Sequence, residues 1–302
     1  MVNIYHNVSK NIAKTWLLMS VFFALVILLG YFFSAYYGNP NILYFFVIFS
    51  VVVNIVSYWF SDKIVLGLAG AKVAKREEYF HLYTMLENLS ITAGLPMPKV
   101  YVINDSAPNA FATGRDKDHA VVAVTTGLLS ILEKDELEGV LSHELSHIGN
   151  RDMLLSTVVV VLVGLVSILA DIFTRHLIWG GGRDRDNKGA SILMVVGIVF
   201  AILSPIFAML IQLAISRKRE FLADASGALL TRYPEGLAKA LGKIGAYSKP
   251  MVRQSTAIAH LYIADPRPHD SRQRVGRAKG SKIAGLFATH PPIEDRVRAL
   301  VG

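Results

Sequence analysis

The sequence predicts a mainly α protein with a small β-sheet, carried on four transmembrane helices. Three observations support that class. Hydrophobic residues fill 53% of the 302 positions, and the mean hydropathy of +0.42 is too high for a typical soluble globular domain. No charged residue occurs between Lys14 and Asp62. Short β-type runs are Lys99–Ile103, Ala110–Thr113 and Ala120–Thr125, punctuated by Pro96, Pro98, Pro108 and the turn-rich Gly114–Asp118.

In chain order, Trp16–Tyr37 and Ile42–Phe60 are each long enough to cross a hydrocarbon core, with Gly38-Asn39-Pro40-Asn41 as the turn between them. Tyr36, Tyr37, Tyr44, Tyr58 and Trp59 sit near span ends, where amphipathic rings prefer to lie. A second span follows the first at once, so the first reads as an anchor rather than a cleaved signal. Met153–Ala170 and Ala190–Ser216 are the third and fourth spans, with Pro205 kinking the fourth. Asp171 falls at the interfacial end of span three. The expected divisions are therefore 1–62 (first membrane hairpin), 63–152, 153–216 (second hairpin) and 217–302.

Four spans leave both termini on one side. Of the 31 Lys and Arg, 2 precede span one, 9 lie in Ser61–Asp152 and 16 follow from Arg217. The second outer loop, Trp179–Gly189 with its flanks, holds 4 and the first turn none. The positive-inside rule then puts both termini and the central segment in the cytoplasm. The stretch Asp265–Lys282 carries six of these charges and reads as a solvated loop. No stacking aromatics interleave them and no phosphate-binding glycine loop occurs, so neither nucleic acid nor nucleotide is an expected partner.

The chemistry is concentrated in Glu133–Gly149. Leu137, Val140, Leu141, Leu145 and Ile148 recur at helical spacing, acidic residues crowd the start, and Gly149-Asn150 marks the stop. Within it, His143-Glu144-Leu145-Ser146-His147 is an H-E-x-x-H motif. Positions i and i+4 share a helix face, so His143 and His147 can reach one metal ion. Glu144 can accept a proton from water held there. With no cysteine in the chain, disulfides and thiolate ligands are excluded, and any zinc must be held by nitrogen and oxygen. A hydrolytic zinc site needs a third protein ligand, and the inferred topology puts the segment after Ser216 on the same side. There Glu220 and Asp224 are i and i+4. Glu220 can supply a carboxylate oxygen, and Asp224 can accept the outer N–H of a ligand histidine. Glu220 can alternatively balance Arg217-Lys218-Arg219 at the interface.

These residues closely resemble the HtpX-type membrane zinc proteases, gluzincins related to the prenyl-protein processing proteases. The resemblance rests on Asn109-Ala110-Phe111-Ala112-Thr113-Gly114, His143–His147, Arg219–Asp224 and Thr289-His290-Pro291-Pro292 followed by Arg296, in family order with the spans between them. It implies a cytoplasmic gluzincin-type domain of a plasma-membrane zinc endopeptidase holding one Zn2+ per chain. The implied substrates are damaged or misfolded membrane proteins, and the implied role is quality control under stress. It further implies that His143, His147 and Glu220 are ligands, Glu144 the base, and Asp224 the carboxylate behind a ligand. His290 and Arg296 match the late His-Pro motif and are the candidates for contacting the transition state. Asn109, Ala110 and Phe111 look like a substrate-lining edge strand. A small sheet there can hold an extended peptide by backbone hydrogen bonds, although Asn109 can equally be a turn residue. A non-enzymatic membrane protein, either a transporter or a scaffold that keeps a zinc site for structure, is the competing class. Transporters usually place polar or broken-helix sites at mid-membrane, and apart from Asn54, Gln212 and the Pro205 kink these spans are apolar. Structural zinc sites normally close with four protein ligands and carry no adjacent base.

Overall fold

The computed structural model describes residues 4–162, 164, 217–253, 255, 257–265 and 290–302. Most of the expected third span, the fourth span, the Trp179–Gly189 loop, Asp171, Pro205 and nearly all of Asp265–Lys282 lie outside the described residues.

Helix α1 (Ile4–Tyr37) and helix α2 (Pro40–Trp59) form the first hairpin. Gly38 turns the chain at φ +62, a left-handed conformation that costs glycine little. The Asn39 side chain then caps α2 by accepting from the Asn41 amide, and Pro40 opens the helix, where its missing N–H is no loss. Both helices are long and apolar enough to cross a membrane. Leu17, Leu28, Tyr44, Phe45 and Ile48 point outward, an apolar exterior that water would not favour. Helix α7 (Asp152–Leu162) packs Leu154, Leu155, Val158 and Leu162 against Leu18, Phe22 and Val53 of the hairpin.

Helix α3 (Ser61–Ala69) leads from the hairpin into strand β1 (Lys72–Val73), and Gly70 ends it in the left-handed region. Helix α4 (Phe80–Ala93) and strand β2 (Lys99–Ile103) follow, then β3 (Ala110–Thr113) and β4 (Val121–Thr125). Thr125 caps the short helix α5 (Thr126–Ile131). Helix α6 (Lys134–Gly149) is opened by a capping box in which Glu133 and Glu136 satisfy each other's backbone donors. Later in the chain come α8 (Arg217–Thr231), α9 (Pro234–Ala246) and α10 (Ile293–Val301).

The four strands lie in the order β1-β2-β4-β3, with β2 and β4 parallel and the other pairs antiparallel. Strand β4 is therefore central and buried throughout, and β3 is an edge although it lies between β2 and β4 in sequence. One face of the sheet packs through Val100, Val122 and Val124 on α4, α6 and α9. The other packs through Ile103, Phe111, Val121 and Ala123 on α3 and on Tyr262. The expected runs thus form strands, with the third starting at Val121, and α6 starts at Lys134 with Glu133 as its cap.

Candidate active site

Helices α6 and α8 run antiparallel, each presenting one stripe to the other. His143 and His147 line α6 one turn apart, and Glu220, Asp224 and Gly227 line α8. At Gly227 a Cβ would stand 3.0 Å from the His143 backbone nitrogen, so the glycine lets α8 rest on the backbone of α6.

His143, His147 and Glu220 each aim a ligand atom at one point, all within 4.8 Å of one another. His143 Nε2 and His147 Nε2 are 3.2 Å apart, His147 Nε2 and Glu220 Oε1 3.6 Å, and His143 Nε2 and Glu220 Oε2 3.9 Å. A tetrahedron with metal–ligand bonds near 2.1 Å has edges of about 3.4 Å, so the donor set fits such an ion.

The outer ring nitrogens are engaged by carboxylates. His143 Nδ1 lies 2.9 Å from Asp224 Oδ1, close enough for an ion pair although off the direction of a well-formed hydrogen bond. His147 Nδ1 lies 3.2 Å from Asp152 Oδ2. Protons on these outer nitrogens leave the two Nε2 lone pairs facing the Glu220 carboxylate, an arrangement that suits a cation, with Arg296 Nη2 standing 3.4 Å from His143 Nε2 at its edge. The electrostatics agree. Burial depresses the His147 pKa, but the Asp152 hydrogen bond and the charges of Glu220, Asp152 and Glu144 outweigh it and raise the value to about 9. Burial, the Arg296 charge and His147 hold His143 below its usual value, against Asp224. Burial favours the protonated form of Glu220, yet His290, His147 and Arg296 together hold it well below the usual carboxylate range.

Glu144 is buried beside this set, 2% exposed. Burial, assisted by Glu220, raises its carboxyl to about 7, against the His147 and Arg296 charges and an Ala112 backbone hydrogen bond. Ala112 belongs to the sheet edge. Thr125 donates to the Asn109 carbonyl, so Asn109, Phe111 and Thr113 face β4, while Ala110 and Ala112 turn their backbone groups outward. The Ala110 carbonyl is already taken by the Ile263 amide at 2.9 Å. The Asn109 side chain holds the same segment, donating to the Ala264 carbonyl at 2.9 Å and accepting from its amide at 3.3 Å. Phe111 packs edge-on against Tyr262. Of the three expected edge residues, Asn109 and Phe111 thus face the chain's own 262–264 segment.

His290 Nδ1 lies 3.1 Å from Glu220 Oε2, and its buried Nε2 has no hydrogen-bond partner among the described residues. Arg296 is 0% exposed. It grips Asp224 with two bonds, Nε to Oδ2 at 2.8 Å and Nη2 to Oδ1 at 2.6 Å, and donates to the Ile263 carbonyl at 3.0 Å. Its guanidinium thus buttresses the carboxylate behind His143. Removing one partner of a buried pair strands the other charge, so Arg296→Met is expected to cost about 3–5 kcal/mol of stability. A thermal melt of the metal-free protein checks this, and a Tm within a degree of wild type would refute it.

A family model described as Peptidase family M48 matches residues 76–302. The chain belongs to peptidase family M48. Relatives of this M48 peptidase include a protease HtpX homolog of Thermoanaerobacter pseudethanolicus, 46% identical over 303 residues and covering 98% of this chain and 97% of that protein. Another, from Thermococcus kodakarensis, is 45% identical over 290 residues, covering 95% and 94%. The crystal structure of S. mikatae Ste24p shares the fold at a TM-score of 0.51 and 18% identity, covering 100% of this chain and 67% of that one. The M48 peptidase is a membrane metalloprotease, with a His-His-Glu group able to hold its metal.

Sequence reasoning missed Asp152 and Ile263. Asp152 follows His147 by five residues, just past the α6 stop, and an acid at the mouth of an apolar helix is a signal that points to it. Nothing local in the sequence marks Ile263.

Proposed function

We propose that this M48 peptidase is a zinc-dependent endopeptidase of the plasma membrane, with four spans and its active site in the cytoplasm. Hairpins 1–62 and 153–216 anchor it, and segments 63–152 and 217–302 build the protease. The observation that carries the reading is the convergence of His143, His147 and Glu220 beside a buried glutamate that touches an outward-facing strand edge.

Zinc, when bound, supplies a Lewis acid for the scissile carbonyl and acidifies a water. The chain's own groups do the rest. The substrate lies extended beside β3 from the Ala112 carbonyl onward, past the Ala110 carbonyl that the Ile263 amide already takes, and a backbone-read peptide suits broad selection among damaged membrane proteins. Glu144 takes the water's proton and delivers it to the leaving amine. His290, whose Nδ1 faces Glu220 Oε2, presents its Nε2 as the group nearest the developing oxyanion. Asp224 and Asp152 fix the two imidazoles, and Arg296 fixes Asp224. Quality control of membrane proteins under stress is the role that the family resemblance supports.

Casein hydrolysis by the purified full chain tests the reading. Activity is expected with zinc, lost on chelation and restored by zinc, and indifference to chelation refutes it. Topology is tested separately, because the cysteine-free chain accepts single reporter cysteines cleanly. An impermeant thiol reagent on intact cells is expected to label Asn41→Cys and to spare Arg115→Cys. Labelling of the Arg115 position would reverse the orientation.

A further inference from the structure

The two metal-facing histidines are buttressed from different parts of the protein. Asp224, behind His143, is held by Arg296 within the protease helices. Asp152, behind His147, is held by the membrane anchor. Asn11 of α1 donates from Nδ2 to Asp152 Oδ1 at 2.6 Å and to the Asn150 carbonyl at 3.1 Å. Both side chains are buried, Asn11 5% and Asp152 4% exposed. Asn150 is the C-cap of α6, so one amide grips both the end of the H-E-x-x-H helix and the carboxylate behind its second histidine.

The division of the carboxylate is specific. Oδ2 faces His147 Nδ1 at 3.2 Å, while Oδ1 takes the Asn11 amide and stands 3.8 Å from Arg219 Nη1. An Nδ1–H to carboxylate bond fixes the tautomer that leaves Nε2 bare and strengthens it as a ligand. That bond requires the carboxylate not to rotate. The Asn11 amide is the short, directed contact that pins Oδ1, while the Arg219 guanidinium stands farther off. The match to the family model starts at residue 76, so this buttress comes from outside the matched segment.

We propose that Asn11 is a positioning residue of the metal centre: the anchor helix, acting through Asp152, sets the orientation and ligand strength of His147, so that metal affinity depends on α1 being docked. The proposal rests on His147 being a metal ligand.

The test uses full-length protein in detergent, with zinc affinity measured by chelator competition and geometry by the visible spectrum of the cobalt(II) form. Asn11→Leu keeps an apolar helix face and removes the donor, and is expected to weaken zinc binding by about 10–100-fold and to alter the cobalt spectrum. Asn11→Ser, too short to reach Asp152, is expected to behave alike and covers the case in which the leucine variant folds poorly. Thr15→Val removes a neighbouring buried hydroxyl that bonds only within α1, and is expected to match wild type. In an Asp152→Asn background, Asn11→Ser is expected to add nothing, because the two act in series. Zinc affinity of Asn11→Ser within about threefold of wild type overturns the proposal, as does full additivity with Asp152→Asn. Failure of the ligand reading looks different: wild type and His147→Ala would then bind zinc equally well.

Discussion

Glu144→Gln is expected to keep its metal and lose its turnover. The amide is nearly the same size as the carboxylate, and none of the three converging ligand atoms belongs to it. What it loses is proton affinity. In the native site burial lifts the Glu144 carboxyl to about 7, which keeps a carboxylate basic enough to take a proton from water and acidic enough to give it up again. Glutamine offers no comparable base, and general acid–base catalysis is worth about 10²–10⁴-fold. Peptide hydrolysis by the zinc-loaded variant should fall by at least that range while zinc per chain stays at the wild-type level. Near-normal proteolysis by the loaded variant would sink the mechanism. The same variant, unable to turn over, is the natural trap for cellular substrates.

Glu220→Ala is expected to fail one step earlier. Glu220 contributes the only carboxylate oxygen in the converging group, and His290, His147 and Arg296 all act to keep it ionised. Without it two imidazoles remain, and metal should leave during dialysis that wild type survives. Asp224→Asn should be milder, about 10–100-fold in affinity or activity, because it disturbs how His143 is held and not whether it binds. Stoichiometric zinc in dialysed Glu220→Ala would show that the third ligand lies elsewhere. Equal zinc in both variants would return Glu220 to a plain interfacial charge.

Much of this site was legible because local spacing encodes it. His143 and His147 share a face by helix periodicity, and Glu220 and Asp224 do so by the same rule. The Lys and Arg distribution gives a reason to expect the two pairs on one side, and the fold brings His143, His147 and Glu220 together. Lys99–Ile103 and Ala110–Thr113 form strands over those same bounds, because proline and glycine bracket them. The sheet order was not legible: β3 crosses to the far side of β4, and no local signal says which strand becomes the edge. Long-range contacts hid for the same reason. Asn11 to Asp152, Ile263 to Ala110 and Arg296 to Asp224 join positions far apart in sequence through single polar atoms, with no periodicity to announce them. Arg296 in particular reads in sequence as a candidate donor to the transition state, and no local signal announces the two bonds by which it also grips Asp224.

The stripe on α8 ends at Gly227, and what that residue lacks sets a tolerance for everything above it. Seven residues separate it from Glu220, two turns or about 10.5 Å of rigid rod. The rod touches down where a hydrogen replaces a methyl, on the backbone of the residue that carries the first imidazole. The gap a metal would span is therefore gauged largely from main chain to main chain, with only the short Ser142 hydroxyl beside the contact. Such a joint is tight: a carbon atom added at the footing asks α8 or α6 to give by a few tenths of an ångström. A coordination sphere accepts errors of only about 0.2 Å. Ligand identity in the proposed metal site is written in three residues, but ligand distance is written in the absence of one atom.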